Sequence, residues 1–474
     1  MPVTVEELMR ALPEAGDAAP PAPLLDSVAA ASFRPVPVGR WRRLRLLGTL
    51  QAKIGAAYLF YWIRGWFKNA EQRERVLAET HWQTAVRLLD AMSYLRGAVM
   101  KVGQTLANFP DIVPRQFVET LEQLHYQAPP MHWALLREMV RNELGDDAEA
   151  RFLSFDQQAF AAASLGQVHR ARLRTGEEVA VKIQYPGIGR AIREDFHNFF
   201  FFLLPGRLNK DWQNTKDQFD DLRARLERET NYAEEAAVQE KVRALFHEDD
   251  GIVVPRVHPD YSTSRVLTMD FLGGVHSDQF MARGPSQEER NEIAEKIVRA
   301  WLRMLYAGRL SYADMHPGNF LVLDDGRLGV LDFGFVMAHR DEEWRLMEVV
   351  YRAMTTGRRE DRIAAVKEWN LIRDDPADAD RLRLYDEFTE WCWLAQRTGE
   401  PFDFGDEAYL RRGTDLFVQM IRKRYNRSRP FTPAIARLNF GVRAILFRLK
   451  AKIDVWPIAE DEVKATGWDR SDYA

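Results

Sequence analysis

The chain has 474 residues, 46% hydrophobic and 29% charged, with a formal net charge of −4 at pH 7. That length allows two or three domain-sized units with a large core, and the near balance of charge excludes a chain-wide nucleic-acid binder. The single cysteine, Cys392, excludes intramolecular disulfides and cysteine-based metal centres.

Residues 1–38 are rich in Ala and Pro and predict a disordered tail. No basic start with an apolar run marks a secretory signal, and Glu6, Glu7, Glu14 and Asp17 argue against a mitochondrial transit peptide. No stretch is long and apolar enough to span a bilayer, so the expectation is a cytoplasmic protein with, at most, peripheral membrane contact.

Residues 39–148 predict a helical extension. Its first part, Arg40–Lys68, carries seven basic residues and no acid, interleaved with Trp41, Tyr58, Phe60, Tyr61, Trp62, Trp66 and Phe67. Such a helix suits an anionic membrane surface; packing on the protein's own lobes is the alternative. A further helical pattern ends in Lys101-Val102-Gly103-Gln104, where Lys101 and Gln104 share a face at i,i+3.

Residues 149–275 predict a strand-rich lobe. Phe160–Val168 and Val179–Ile183 read as strands, with Thr175-Gly176 as the turn between them. Lys182 stands alone among Val and Ile, and a buried lysine requires an anionic partner. Asp217–Leu245 predicts one long charged helix; Val253–Val257 and Arg265–Met269 predict strands, and Phe271–Gly274 a turn.

Residues 276–455 predict a helical lobe, and 456–474 a C-terminal tail. Within the helical lobe, Ser311–Gly334 reads SYADMHPGNFLVLDDGRLGVLDFG. Asp324-Asp325-Gly326 between apolar residues predicts a tight hairpin that returns Asp332 beside Asp314 and Asn319. This is the layout of a protein-kinase catalytic loop followed by DFG, in which the first Asp faces the attacking hydroxyl while the Asn and the DFG Asp hold Mg²⁺. The element order therefore predicts an α+β, two-lobed protein-kinase-like fold with an N-terminal helical extension.

Three motifs together resemble the UbiB/AarF-type atypical kinases, a family linked to ubiquinone and other prenyl-lipid biosynthesis: K-x-G-Q at Lys101–Gln104, A-A-A-S-x-G-Q-V-H at Ala161–His169, and D-x-H-P-G-N at Asp314–Asn319. The resemblance implies roles position by position. Lys182 holds the α- and β-phosphates of ATP, Glu235 pairs with it, and Asp314 is catalytic. Ala161, Ala162, Ala163, Ser164 and Gly166 cover the phosphates, with Met269 and Phe271 as further nucleotide contacts. Asn319 and Asp332 hold Mg²⁺. Lys101, Gln104 and Glu229 are regulatory, Lys101 reaching toward the acid of an E-x-D motif. His316 is expected to be structural. This chain departs from the pattern in two places: Asn231 replaces the second acid of E-x-D, and Tyr312 stands where a His is usual.

An Mg-ATP-dependent atypical kinase or ATPase acting on a lipid or quinone-like molecule is the expected function. The alternatives are a nucleotide-binding pseudokinase scaffold and a conventional protein kinase. Residues 335–340 leave little room for the long activation segment a protein kinase uses to present a peptide.

Overall fold

The computed structural model describes residues 131–468, apart from 164, 191, 194–222, 224–226, 374, 398, 424 and 426–431. The Ala/Pro-rich tail, the basic segment 40–68, Lys101, Gln104 and Ser164 lie outside the described residues.

The first lobe is an antiparallel sheet covered by a helix on each face. Helix α1, Trp133–Leu144, is capped by the His132 side chain and ends at Gly145 in the left-handed region, φ +81°, where glycine is free of Cβ strain. Strands β1 (Ser154–Phe155), β2 (Ala161–Ala163), β3 (Gly166–Arg172) and β4 (Glu178–Gln184) follow. β1 and β2 both pair with β3, and β4 lies between β3 and β6 (Val266–Asp270). Gly166 sits where β3 meets β4, and a Cβ there would come within 2.1 Å of the Ile183 carbonyl oxygen.

The period of two along β4 sorts its residues. Val179, Val181 and Ile183 pack with Leu136 and Val140 of α1. Ala180 faces the other way and packs with Tyr232, Leu267 and Met269. Lys182 and Gln184 share its face, toward helix α2, Tyr232–Arg243.

The single long helix expected over Asp217–Leu245 is broken in its described part. Thr230 forms a turn, and Asn231 adopts φ −116°, ψ 92° and caps α2 by accepting from the Ala233 N–H. A short amide side chain competes for backbone donors, which favours a cap over a helix interior. Asn231 therefore serves α2 as its cap. Gln184 donates to the Thr230 carbonyl at 2.7 Å and fixes the start of α2 against the sheet.

Strand β5 is only Ile252–Val253. The expected strand through Val257 stops before Pro255, which has no N–H for a ladder, and Val257 forms one isolated bridge to Met269. After β6 comes β7 (Gly274–Val275), then α3 (Gln287–Tyr306), opened by a Ser286–Glu289 capping box. β8 (Leu310–Tyr312), β9 (Phe320–Leu323), β10 (Leu328–Val330) and β11 (Val336–Ala338) carry the central stretch. The expected hairpin is β9–β10, with Val322 opposite Leu328 and Gly326 at φ +79° in the turn.

Helices α4 (Asp341–Thr356), α5 (Arg359–Asn370), α6 (Ala379–Arg397), α7 (Glu407–Arg422) and α8 (Thr432–Arg448) complete the second lobe with α9 (Trp456–Val463). Strands β12 (Phe402–Asp403) and β13 (Lys452–Ile453) pair between them.

Two boundaries differ from expectation. β5 and β7 fall within 149–275 but pair with β10 and β9, in a sheet of the helical lobe. Residues 456–468, set apart as a tail, are part of that lobe. Glu462 of α9 pairs with Arg299 and Arg303 of α3 at 2.8 Å, and Trp468 stacks on Trp344. Alternating apolar and charged residues in that segment hid an amphipathic helix whose partner is distant in sequence. Among the described residues, no helix is long and apolar enough to cross a membrane.

Candidate functional site

β4 points Lys182 across the first lobe toward α2, where Tyr232, Glu235, Gln239 and Val242 form the buried helical face. Lys182 Nζ lies 2.7 Å from Glu235 Oε1 and 3.4 Å from Asp332 Oδ2. The Lys182 and Glu235 side chains are 9% and 5% exposed, and Asp332 is 38% exposed. Burial works to lower the Lys182 ammonium, but the Asp332 and Glu235 charges outweigh it and hold its pKa well above the ordinary value. Taking these charges out of water costs several kcal/mol per ion, about what their attraction returns.

Asp332 sits at φ +57°, a left-handed conformation unusual for a residue with a side chain. Its own Oδ1 accepts the Gly334 N–H at 3.1 Å, the local bond that makes the conformation tolerable for Asp. The buried Tyr312 hydroxyl donates to the Leu331 carbonyl at 2.6 Å and the Asp332 carbonyl at 3.0 Å. Burial, reinforced by the Asp332 and Asp314 charges, pushes this hydroxyl far up, so it remains a donor at ordinary pH. Tyr312, noted in the sequence only as a departure, thus clamps the backbone that presents Asp332.

The catalytic-loop candidates are arranged by the hairpin. Asn319 donates from Nδ2 to the Asp314 carbonyl at 2.9 Å, and its own carbonyl accepts the Leu331 N–H at 2.8 Å. His316 accepts the Gly318 N–H on Nδ1, and burial lowers its pKa, so it is a neutral imidazole at pH 7. Those are features of a loop-shaping residue. Arg437 of α8 reaches Asp314 Oδ1 at 2.6 Å and lies over the Phe335 ring. Gly441, one turn further along the same helix face, permits this approach: a Cβ there would come within 2.3 Å of the Met315 carbonyl oxygen. Sequence reasoning missed both roles, although an arginine interrupting an apolar helical pattern was the available signal.

Lys182, Glu229, Glu235, Asp314 and Asp332 line one small space with Leu165, Tyr232, Gly334 and Phe335. Its volume is about 10 Å³, room for about one water. The other described nucleotide-contact candidates lie in the sheet or beside it. Ala161, Ala162 and Ala163 pair with Val168, Gln167 and Gly166 as a hairpin over β3. Met269 lies opposite Ala180 and is buried among Tyr232, Val257 and Leu267. Phe271 meets the Phe160 ring and carries the Arg170 guanidinium 4.3 Å from its centroid.

The oxygen donors at this point suit a hard cation. Asp332 offers a carboxylate, and the Asn319 amide, with its nitrogen committed to Asp314, leaves its oxygen for a ligand. Among the described residues no group of three or more His, Cys, Asp or Glu forms a protein-only metal cage. One or two protein oxygens completed by phosphate and water is the Mg²⁺ pattern, since Mg²⁺ keeps much of its hydration shell.

Residues 123–364 match the model of the ABC1 atypical kinase-like domain. The chain is 29% identical to the rat mitochondrial atypical kinase COQ8B, over 90% of this chain and 81% of that protein. It is 32% identical to the Synechocystis uncharacterized protein sll0005, over 63% of this chain but only 43% of that protein's length. Among solved structures it resembles Rv3197 of Mycobacterium tuberculosis, described as a complex with erythromycin. The TM-score is 0.57 at 25% identity, covering 84% of this chain and 100% of that one. The fold is α+β and protein-kinase-like.

Proposed function

The chain belongs to the ABC1 atypical kinase-like family, the UbiB/AarF type, and from that membership we propose that it binds Mg-ATP between its lobes and acts in quinone or prenyl-lipid metabolism at a membrane surface. The observation that carries the reading is the meeting of Lys182, Glu235 and Asp332 from segments 53 and 150 residues apart. Apolar packing would stabilise a core at least as well, so a buried lysine held between two acids finds its use in a phosphate ligand. In this reading Lys182 holds the α- and β-phosphates and Glu235 orients it. Asp332 and Asn319 would hold Mg²⁺, which when bound offsets charge on the transferring phosphoryl group. Asp314 faces the attacking hydroxyl. Ser164, Lys101 and Gln104 enter by family resemblance, and Glu229 as a lining residue of the space that Lys182 also lines.

The segment after Asp332 supports a kinase or ATPase that does not act on peptides. β11 pairs with β8, with Val336 opposite Tyr312, and the Ala313 N–H donates to the Phe335 carbonyl. α4 begins at Asp341. Only His339 and Arg340 separate β11 from α4, without the longer segment on which a protein kinase presents a peptide. The erythromycin in the complex with Rv3197 is consistent with an organic partner. Arg40–Lys68 is the proposed contact with anionic lipid.

Purified protein should hydrolyse ATP slowly with Mg²⁺, and anionic liposomes or quinone-like phenols should raise the rate. Standard protein substrates should remain unlabelled. Efficient phosphorylation of those substrates would replace the proposal with a conventional kinase; ATP binding without turnover under any of these conditions would replace it with a scaffold.

A further inference from the structure

Asp314 lines two spaces. One is the narrow charged space shared with Lys182 and Asp332. The other is a cavity of about 700 Å³ inside the helical lobe, within the range of roughly 300–1,000 Å³ usual for small-molecule sites. Among the described residues, Asp314 is the only one that lines both.

The walls state what the cavity suits. They are mostly apolar and aromatic, with Trp301, Met354, Tyr385, Phe388 and Phe440 among them. Asp314 and Arg437 are the only Asp, Glu, Lys or Arg residues among the described lining, and they are paired at 2.6 Å. Three further polar atoms on lining residues lack hydrogen-bond partners among the described residues, Trp301 Nε1, Asn370 Oδ1 and Thr432 Oγ1, and each atom is itself buried. Those atoms lie beneath the lining surface, so the charged contact that the cavity offers a ligand is the Asp314–Arg437 pair.

We propose that this cavity binds a small amphiphile with an apolar, ring-bearing body and a hydroxyl head, the hydroxyl seated at the Asp314–Arg437 pair. The pair selects the head group. A carboxylate would meet Arg437 but be repelled by Asp314, and an ammonium would suffer the reverse. A hydroxyl donates to the Asp314 carboxylate and accepts from the Arg437 guanidinium. The aromatic walls take the body. The inference rests on the lipid-linked function proposed above and gives that partner a seat on the other side of Asp314 from the nucleotide phosphates. Binding itself requires no nucleotide.

The test uses the full chain with two matched probes, 4-heptylphenol and its methyl ether 4-heptylanisole, titrated by calorimetry below their micelle-forming concentrations. ATP affinity is measured on the same preparations. The phenol should saturate at one equivalent per chain, about tenfold more tightly than the ether, because a hydrogen bond to a charged group is lost in the ether. Arg437→Met should weaken both probes, because each oxygen loses its donor, and leave the phenol's preference, which comes from donation to Asp314. Thr414 lines the cavity yet is exposed, so Thr414→Trp should narrow the entrance without disturbing the core and weaken both probes at least tenfold, with ATP affinity unaltered. Equal affinities for the two probes, absence of saturation, or probe binding indifferent to Thr414→Trp would overturn the site. Loss of ATP binding in the parent chain with phenol binding retained would instead overturn the nucleotide reading alone.

Discussion

The space around Lys182 and the cavity of the helical lobe meet at Asp314, yet they are built by opposite means. The first is about 10 Å³, and its charged walls come from β4, α2 and the loops around Asp314 and Asp332. The second is about 700 Å³, and its walls are mostly apolar side chains of α3 to α8. A small charged space persists only if each charge is paired, because an unpaired buried ion is far more costly than an unfilled apolar contact. A large apolar space persists because its walls are stabilised by the packing behind them, so it tolerates polar atoms only at a few positions. The difference teaches where each side is fragile: the charged side through single partners, the apolar side through single close approaches.

Asp332→Asn tests the charged side most severely. It keeps the shape of the proposed metal ligand's side chain, removes the carboxylate and leaves the Tyr312 clamp on the backbone. Mg-dependent ATP turnover should fall at least about 100-fold, the upper end of what even an outer-shell partner of a metal costs, while the circular dichroism spectrum is unchanged. Retained turnover would remove Asp332 from the metal site.

Glu235→Ala leaves Lys182 buried with the partly exposed Asp332 as its remaining acidic partner among the described residues. It should destabilise the fold by about 3 kcal/mol, the lower end for removing one member of a buried pair. Urea denaturation of variant and parent measures this. A change below about 1 kcal/mol would show that Lys182 relaxes into water, and that the charged side is less tightly built than its distances imply.

Gly441→Ala is the smallest change and falls on the apolar side. The added Cβ meets the Met315 carbonyl, so α8 must shift, at a cost of about 1–2 kcal/mol typical of overpacking. Because Arg437 lies one turn earlier on the same face, the shift should also loosen its contact with Asp314. Urea denaturation gives the first effect. Weaker binding of both probes gives the second. No loss of stability would mean that α8 has slack at Met315.

Much of the charged site was legible in the sequence. The D-x-x-x-x-N spacing, the DFG triplet and the Asp-Gly turn lie within a few turns of chain, so local geometry alone brings Asn319 against Asp314 and the hairpin against both. Lys182 was legible for a different reason: an isolated lysine in a β-branched strand needs an anion wherever the strand lies. Arg437 and Gly441 were not legible. They are more than a hundred residues from Asp314, and neither their charge nor their size states which part of the loop α8 will cross. The cavity was equally hidden, because Trp301, Phe388 and Phe440 are ordinary core residues until three helices fail to close on one another.

The sequence by itself determined the hairpin, the face of β4 that carries Lys182 and the residues available for phosphate and metal chemistry, since all follow from backbone period and short-range spacing. Only the tertiary structure decided that the long helix breaks at Asn231, that β5 and β7 join the second lobe's sheet, that residues 456–468 pack on α3, and that Asp314 divides a charged space from an apolar one. Those outcomes depend on which distant surfaces bury each other, a competition among non-local contacts that no single segment encodes.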